Sequence, residues 1–175
     1  MSEDWSRFLV VNGIAMLQGA RHAHMDAILT AATELSMDIE IVELRTMEDL
    51  ENRPIDALLL PGGESTVMRL RGNDATSRLL PSLYEWMREN ESRPVLATCA
   101  GAILLADPQD GGEPLVDAEI DRNAFGRQAD SFESALDCGF PGVFIRAQDL
   151  VKFEIQWNVP CLGKSSAVVA EIESR

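Results

Sequence analysis

Ala57-Leu58-Leu59-Leu60-Pro61-Gly62-Gly63-Glu64-Ser65-Thr66 is the stretch that decides the fold. Four apolar residues form a short buried strand, and Pro61-Gly62-Gly63 stops it. Adjacent glycines permit positive φ and close backbone approach, and consecutive N–H groups there can make a concave anion site. Ser65 or Thr66 is placed to cap a following helix. The plainer reading of the loop is a tight strand-to-helix turn.

The same pattern returns forty residues on. Val95 to Thr98 reads as a buried strand, Cys99 sits at the corner, and Gly101 to Ala106 reads as a helix. Small neighbours at Ala97, Ala100 and Gly101 suit a sharp nucleophile elbow. The positive end of a helix would stabilise a thiolate there, and the Ala100 N–H would point where an oxyanion forms. The competing reading is an inert core cysteine.

Working outward, Phe8 to Leu17 is apolar but broken by Asn12-Gly13, so only Ile14 to Leu17 is required as the central strand. Ala23 to Leu35 has helical spacing, with Ala23, Ala27, Ile28, Ala31 and Leu35 apolar, and Ile39 to Leu44 reads as a strand. Ser77 to Asn90 reads as an amphipathic helix with Leu79, Leu80, Leu83, Trp86 and Met87 inward. The acidic run Met47 to Glu51 reads as a solvated face. Strands alternating with helices imply an α/β fold with a mostly parallel sheet covered on both faces. Past Pro108 the style changes. Asp110-Gly111-Gly112 is a turn, and short strands are expected at Val116 to Ile120, Ser131 to Leu136, Val143 to Ile145, Phe153 to Trp157 and Ala167 to Ala170. That half is expected to be antiparallel. One domain spanning residues 1–175 is expected, with no repeat or linker dividing it. Ligands of open α/β sheets sit beyond the carboxyl ends of the strands, so the loops after Leu17, Leu60 and Thr98 should share the site.

Composition excludes several functions. Fifteen Lys and Arg against 29 Asp and Glu give a net charge of −14, which repels a phosphate backbone or an anionic membrane. No apolar run approaches the ~20 residues that cross a bilayer, and residues 1–7 lack the features of a signal peptide. Neither nucleic acid nor membrane is therefore expected as a partner. Only Lys152 and Lys164 are lysines, and the acidity fits a salt-adapted or very soluble cytoplasmic protein. Cys99, Cys138 and Cys161 are an odd three without CxxC, so a reducing compartment is expected and no disulfide framework. Cys138 and Cys161 read as structural. His22 and His24, the two histidines, open the first helix near the site edge. They make no zinc site alone, and a surface role is more usual for them than a general base. No metal or cofactor is expected. Arg146 closes an apolar run and, with Arg122 and Arg127, could clamp a carboxylate or serve internal salt bridges.

Five blocks then occur in order: Leu17-Gln18-Gly19-Ala20; Pro61 to Thr66; Thr98-Cys99-Ala100-Gly101; Asp121-Arg122-Asn123-Ala124-Phe125-Gly126-Arg127-Gln128 with Ser131-Phe132-Glu133; and Gly142-Val143-Phe144-Ile145-Arg146-Ala147. Together they resemble the glutaminase subunit of pyridoxal 5′-phosphate synthase, a branch of the class I, triad-type glutamine amidotransferases. The likeness runs over roughly residues 14–150. It implies a flavodoxin-like three-layer fold. It implies hydrolysis of L-glutamine to glutamate and ammonia, and delivery of the ammonia to a barrel-shaped synthase partner that makes pyridoxal 5′-phosphate (vitamin B6). By the family pattern Cys99 is the nucleophile, and Gly63 and Ala100 offer oxyanion N–H groups. Gly63, Glu64, Ser65, Arg122, Ile145 and Arg146 line the glutamine site. Ala97 stands where the family usually has glycine, and Gln148 where it usually has proline. The family's triad His and Glu lie in a His-Pro-Glu segment near the C-terminus, whereas this chain has no histidine after His24. From about Val151 the likeness is poor, and the family's final strand and helix are expected to be missing. Three readings follow: a truncated glutaminase, a non-hydrolysing relative that still binds glutamine or the synthase, or a chain in which His22 or His24 takes the base's place. Loss of a final strand would expose a sheet edge and favour association.

Overall fold

The computed structural model describes residues 9–19, 21–121, 132–135, 141–144 and 149–153, with side chains up to residue 118. Two compact units divide the chain, residues 1–115 and 116–175, and each is described by itself.

The first unit is built on strands β1 (Val10–Ala15), β2 (Ile39–Leu44), β3 (Ala57–Leu60) and β4 (Val95–Ala97). They form a fully parallel sheet in the order β2-β1-β3-β4. This is the flavodoxin-like order, whose topological switch point lies between β1 and β3. Helices α1 (Arg21–Leu35), α2 (Met47–Asn52), α3 (Ser65–Gly72), α4 (Leu79–Glu89) and α5 (Ala100–Ala106) make the connections. Buried residues of α3, α4 and α5 share one core cluster, with Leu50 of α2 packed against it, and no residue of α1 belongs to it.

Strand alternation then sorts the core. Ala15, Val42, Leu44, Leu58 and Leu60 pack against Met68 of α3, Leu79, Leu80, Leu83, Tyr84 and Met87 of α4, and Ala100 and Leu104 of α5. Ile14 and Leu59 are register partners facing the other way, and both are fully buried. Leu96 continues that row on β4 but is 58% exposed at the outer strand of this sheet.

The expected spans of β2 and β3 are met to the residue, and α1, β4 and α5 to within two. One expectation is corrected and two are extended. First, Asn12-Gly13 does not break β1; both lie inside it, paired to β2 on one side and β3 on the other. A ladder on both sides outweighs a local turn signal, and Gly13 is there for packing: a Cβ would fall 2.7 Å from Ile55 Cδ1 and 2.8 Å from Leu44 Cδ1. Second, the acidic run from Met47 is a solvated face as expected, and it forms a helix that buries no residue. Its first turn is closed by a capping box, with Asp49 N donating to Thr46 Oγ1 (3.3 Å) and Thr46 N to Asp49 Oδ2 (2.9 Å). Third, Tyr84 joins the expected inward residues in the core, against which Trp86 packs partly buried. The Tyr84 hydroxyl donates to Leu104 O at 3.1 Å, while Trp86 lies half-buried under the Arg93 guanidinium, 4.5 Å from its ring centre.

The second unit is antiparallel where described, as expected. β5 (Ala118–Asp121) pairs with β8 (Asp149–Phe153), and β6 (Phe132–Ala135) with β7 (Pro141–Phe144). The fourth strand lies at 149–153 rather than at Phe153 to Trp157. The strand expected at Ala167 to Ala170, and the final strand and helix expected to be missing, fall outside the described residues. Among the described residues no helix is long and apolar enough to cross a membrane.

Candidate active site

Three loops leave the carboxyl ends of β1, β3 and β4, and they converge. Gln18 Oε1, in the loop after β1, accepts from the Glu64 N–H of the loop after β3 at 2.7 Å. Gly19 has φ +98° and lies so close to this second loop that a Cβ there would sit 1.9 Å from Gly62 O. Only glycine satisfies both conditions. The second loop meets the third in turn: a Cβ on Gly62 would stand 2.9 Å from Cys99 Cβ and 3.5 Å from Cys99 Sγ.

Cys99 occupies the corner between β4 and α5, as expected of an elbow. Its backbone has φ +50° and ψ −118°, a conformation that L-residues rarely adopt. The corner is held from both sides, since Thr98 N donates to Leu60 O (3.1 Å) and Gly101 N to Thr98 O (2.9 Å). Gly101 leaves the room this turn needs, because a Cβ would fall 2.3 Å from Leu60 O. The thiol is free and exposed, which sets aside the inert core cysteine. Among the described residues neither the Gly63 nor the Ala100 N–H has a hydrogen-bond partner.

Glu64, rather than Ser65 or Thr66, caps α3. Its carboxylate accepts from Thr66 N (3.2 Å) and Val67 N (2.8 Å), which answers two of the orphan donors of the first turn. Ser65 is buried at 5% exposure. A carboxylate reaches two residues forward as readily as a hydroxyl, and the sequence offered three consecutive capping candidates. Gln18 carried no role in the sequence reading. Its signal was its position after a central strand, opposite the double glycine.

His24 does reach this edge. From the first turns of α1 its Nε2 lies 3.0 Å from Thr98 Oγ1, beside the Cys99 corner. His22 is exposed on the same helix. Arg122, Arg127, Ile145, Arg146, Cys138 and Cys161 lie outside the described residues. Among the described residues no group of three or more His, Cys, Asp or Glu is placed to hold a metal ion.

Farther out, Arg69 of α3 is buried at 8% exposure and donates to the Asp107 carbonyl at the end of α5. The helices that follow the second and third site loops are thus tied at their far ends. Arg88 pairs bidentately with Asp110 (2.5 and 3.1 Å) and holds that carboxyl below its ordinary range, chiefly through the side-chain hydrogen bond.

The sequence matches the model of a family described as the SNO glutamine amidotransferase family over residues 14–173. Among curated proteins it is 39% identical over 168 residues to the pyridoxal 5′-phosphate synthase subunit PdxT of Methanothermobacter thermautotrophicus, covering 92% of this chain and 78% of the relative. It is 40% identical over 172 residues to the subunit of the same name from Haemophilus ducreyi, covering 92% and 80%. To that of Thermococcus onnurineus it is 40% identical over 155 residues, covering 80% and 74%.

Proposed function

The chain belongs to the SNO glutamine amidotransferase family, and from that premise we propose that it serves as the glutaminase subunit of a pyridoxal 5′-phosphate synthase. The observation that carries this reading is Cys99, exposed at a positive-φ strand–helix corner and packed directly against the Gly62-Gly63 loop. The Cys99 thiolate attacks the carboxamide carbon of L-glutamine. The Gly63 and Ala100 N–H groups receive the oxyanion. Its collapse expels ammonia, the leaving nitrogen taking up the proton that the Cys99 thiol gave up, and leaves a γ-glutamyl thioester. Water then releases glutamate and returns the thiol. Glu64, through its N–H and its cap on α3, and buried Ser65 shape the wall of the glutamine site; Arg122, Ile145 and Arg146 complete it. The ammonia passes to the barrel-shaped synthase subunit. The working compartment is the cytoplasm, which the odd count of three cysteines supports.

The test is glutamate release from L-glutamine by the 175-residue chain, with and without a synthase subunit. Release that disappears in Cys99→Ala supports the reading. Release that persists in Cys99→Ala sinks the nucleophile assignment.

One observation favours a second reading. The only histidines of the chain are His22 and His24, both on α1, and a cysteine nucleophile ordinarily depends on a base. The alternative is a glutamine- or synthase-binding protein that does not hydrolyse. It predicts no glutamate release but a calorimetric binding signal with millimolar glutamine, and protection of Cys99 from alkylation by glutamine. Absence of both binding and protection removes the glutamine site from either reading.

A further inference from the structure

We propose that His24 is a positioning residue for Cys99, acting through the Thr98 hydroxyl. This rests on the reading of Cys99 as the nucleophile. Cys99 holds φ +50° without being glycine. Such a backbone is strained and persists only where its surroundings over-determine it. Two backbone bonds fix the residue before it, from Thr98 N to Leu60 O and from Gly101 N to Thr98 O. They fix the peptide planes but not the rotation of the Thr98 side chain.

Cys99 O also accepts from Ala102 N (3.0 Å) and Ile103 N (3.3 Å), and the His24 Nε2···Thr98 Oγ1 contact of 3.0 Å adds the side-chain constraint. Among the described residues it is the only side-chain hydrogen bond made to residues 98–101. It also spans 74 positions of sequence, tying α1 to the corner between β4 and α5. The anchor is well based. α1 follows directly on the loop in which Gln18 holds the Glu64 N–H. The imidazole therefore links the nucleophile corner to the same first loop that aligns the Gly63 segment. Either partner can supply the shared proton, since a hydroxyl donates or accepts and each ring nitrogen does one or the other. The contact thus needs the hydroxyl and the ring nitrogen, and not a charge.

The test follows iodoacetamide labelling of Cys99, read by mass spectrometry of its peptide, with Cys138 and Cys161 as internal references. Rates are taken for the wild type, His24→Ala, Thr98→Val and the double variant, beside thermal midpoints. The expected result is a change in Cys99 rate of about three- to tenfold, the scale of one net hydrogen bond. The change should be the same in both single variants and no larger in the double, because both remove one interaction. Thr98→Ser and His24→Gln should restore most of the wild-type rate, and His22→Ala should leave it unchanged. Wild-type rates in both single variants overturn the proposal, as does multiplication of the two effects in the double. Thr98→Val keeps the shape of the side chain, so the question stays decidable if His24→Ala does not fold.

A parallel arm uses a diazoketone analogue of glutamine. If it fails to label Cys99 in the wild type, the glutamine reading of the site fails while the iodoacetamide comparison still judges His24.

Discussion

At the scale of single residues, the site is defined by atoms that must come closer than ordinary side chains allow. Gly101 is one such case, since any Cβ there would meet Leu60 O at 2.3 Å, a backbone atom that cannot rotate away. Gly101→Ala is expected to lower stability by more than about 2 kcal/mol and to abolish Cys99-dependent activity, checked by denaturant titration and glutamate release. Tyr84 is a second case. Burial pushes its phenol well above the ordinary range, and its hydroxyl donates to Leu104 O. Tyr84→Phe leaves that carbonyl without its partner and should cost about 1–2 kcal/mol in the same titration, with no effect on cysteine reactivity. Cys99, Gly63 and Ala100 were legible as candidates because a strand, a small-residue corner and a helix follow one another in a short stretch. The contacts of Gln18 and His24 were not, because each is made with a residue at least 46 positions away.

At the scale of elements, helix ends carry the charged interactions. Burial opposes ionisation at Asp49, but hydrogen bonds from the Arg45 N–H, the Thr46 N–H and the Thr46 hydroxyl outweigh it and keep its pKa below 3.8. Thr46→Ala should cost about 1 kcal/mol, the usual value of a lost N-cap, read as a lower denaturant midpoint at unchanged slope. Asp110 is also held below 3.8, first by the Arg88 side chain. A depressed carboxyl contributes stability that is complete above the unfolded pKa of 3.8 and is lost as pH falls through the lower folded value. Asp110→Asn should therefore be less stable than wild type at neutral pH, and the gap should close on acidification below about pH 4. A gap that stays constant down to pH 2 would refute this pairing. The α2 helix was readable in principle, since Thr46 and Asp49 have capping-box spacing before Leu50. Six residues with no buried side chain give periodicity nothing to detect.

At the scale of the whole molecule, charge is the dominant fact. A net −14 on 175 residues implies self-repulsion that salt should screen. The thermal midpoint is expected to rise between low and molar NaCl, and a melt indifferent to salt would remove the salt-adapted reading. The amino-acid order alone determined the alternation of strands and helices in residues 9–106, the antiparallel character of the later strands and the three loops named as the candidate site. These are local properties, since runs of apolar residues, glycine pairs and strand-to-helix corners are written in consecutive positions. Tertiary structure alone decided that Asn12-Gly13 stays in the central strand, because hydrogen bonds on both of its edges outweigh a local turn preference. It also decided that Glu64 caps α3 while its N–H rests on Gln18, and that His24 stands beside the Cys99 corner. Those contacts depend on the parallel order β2-β1-β3-β4, which brings the ends of β1, β3 and β4 to one edge although long stretches of chain separate them. No local pattern in the sequence records that distance.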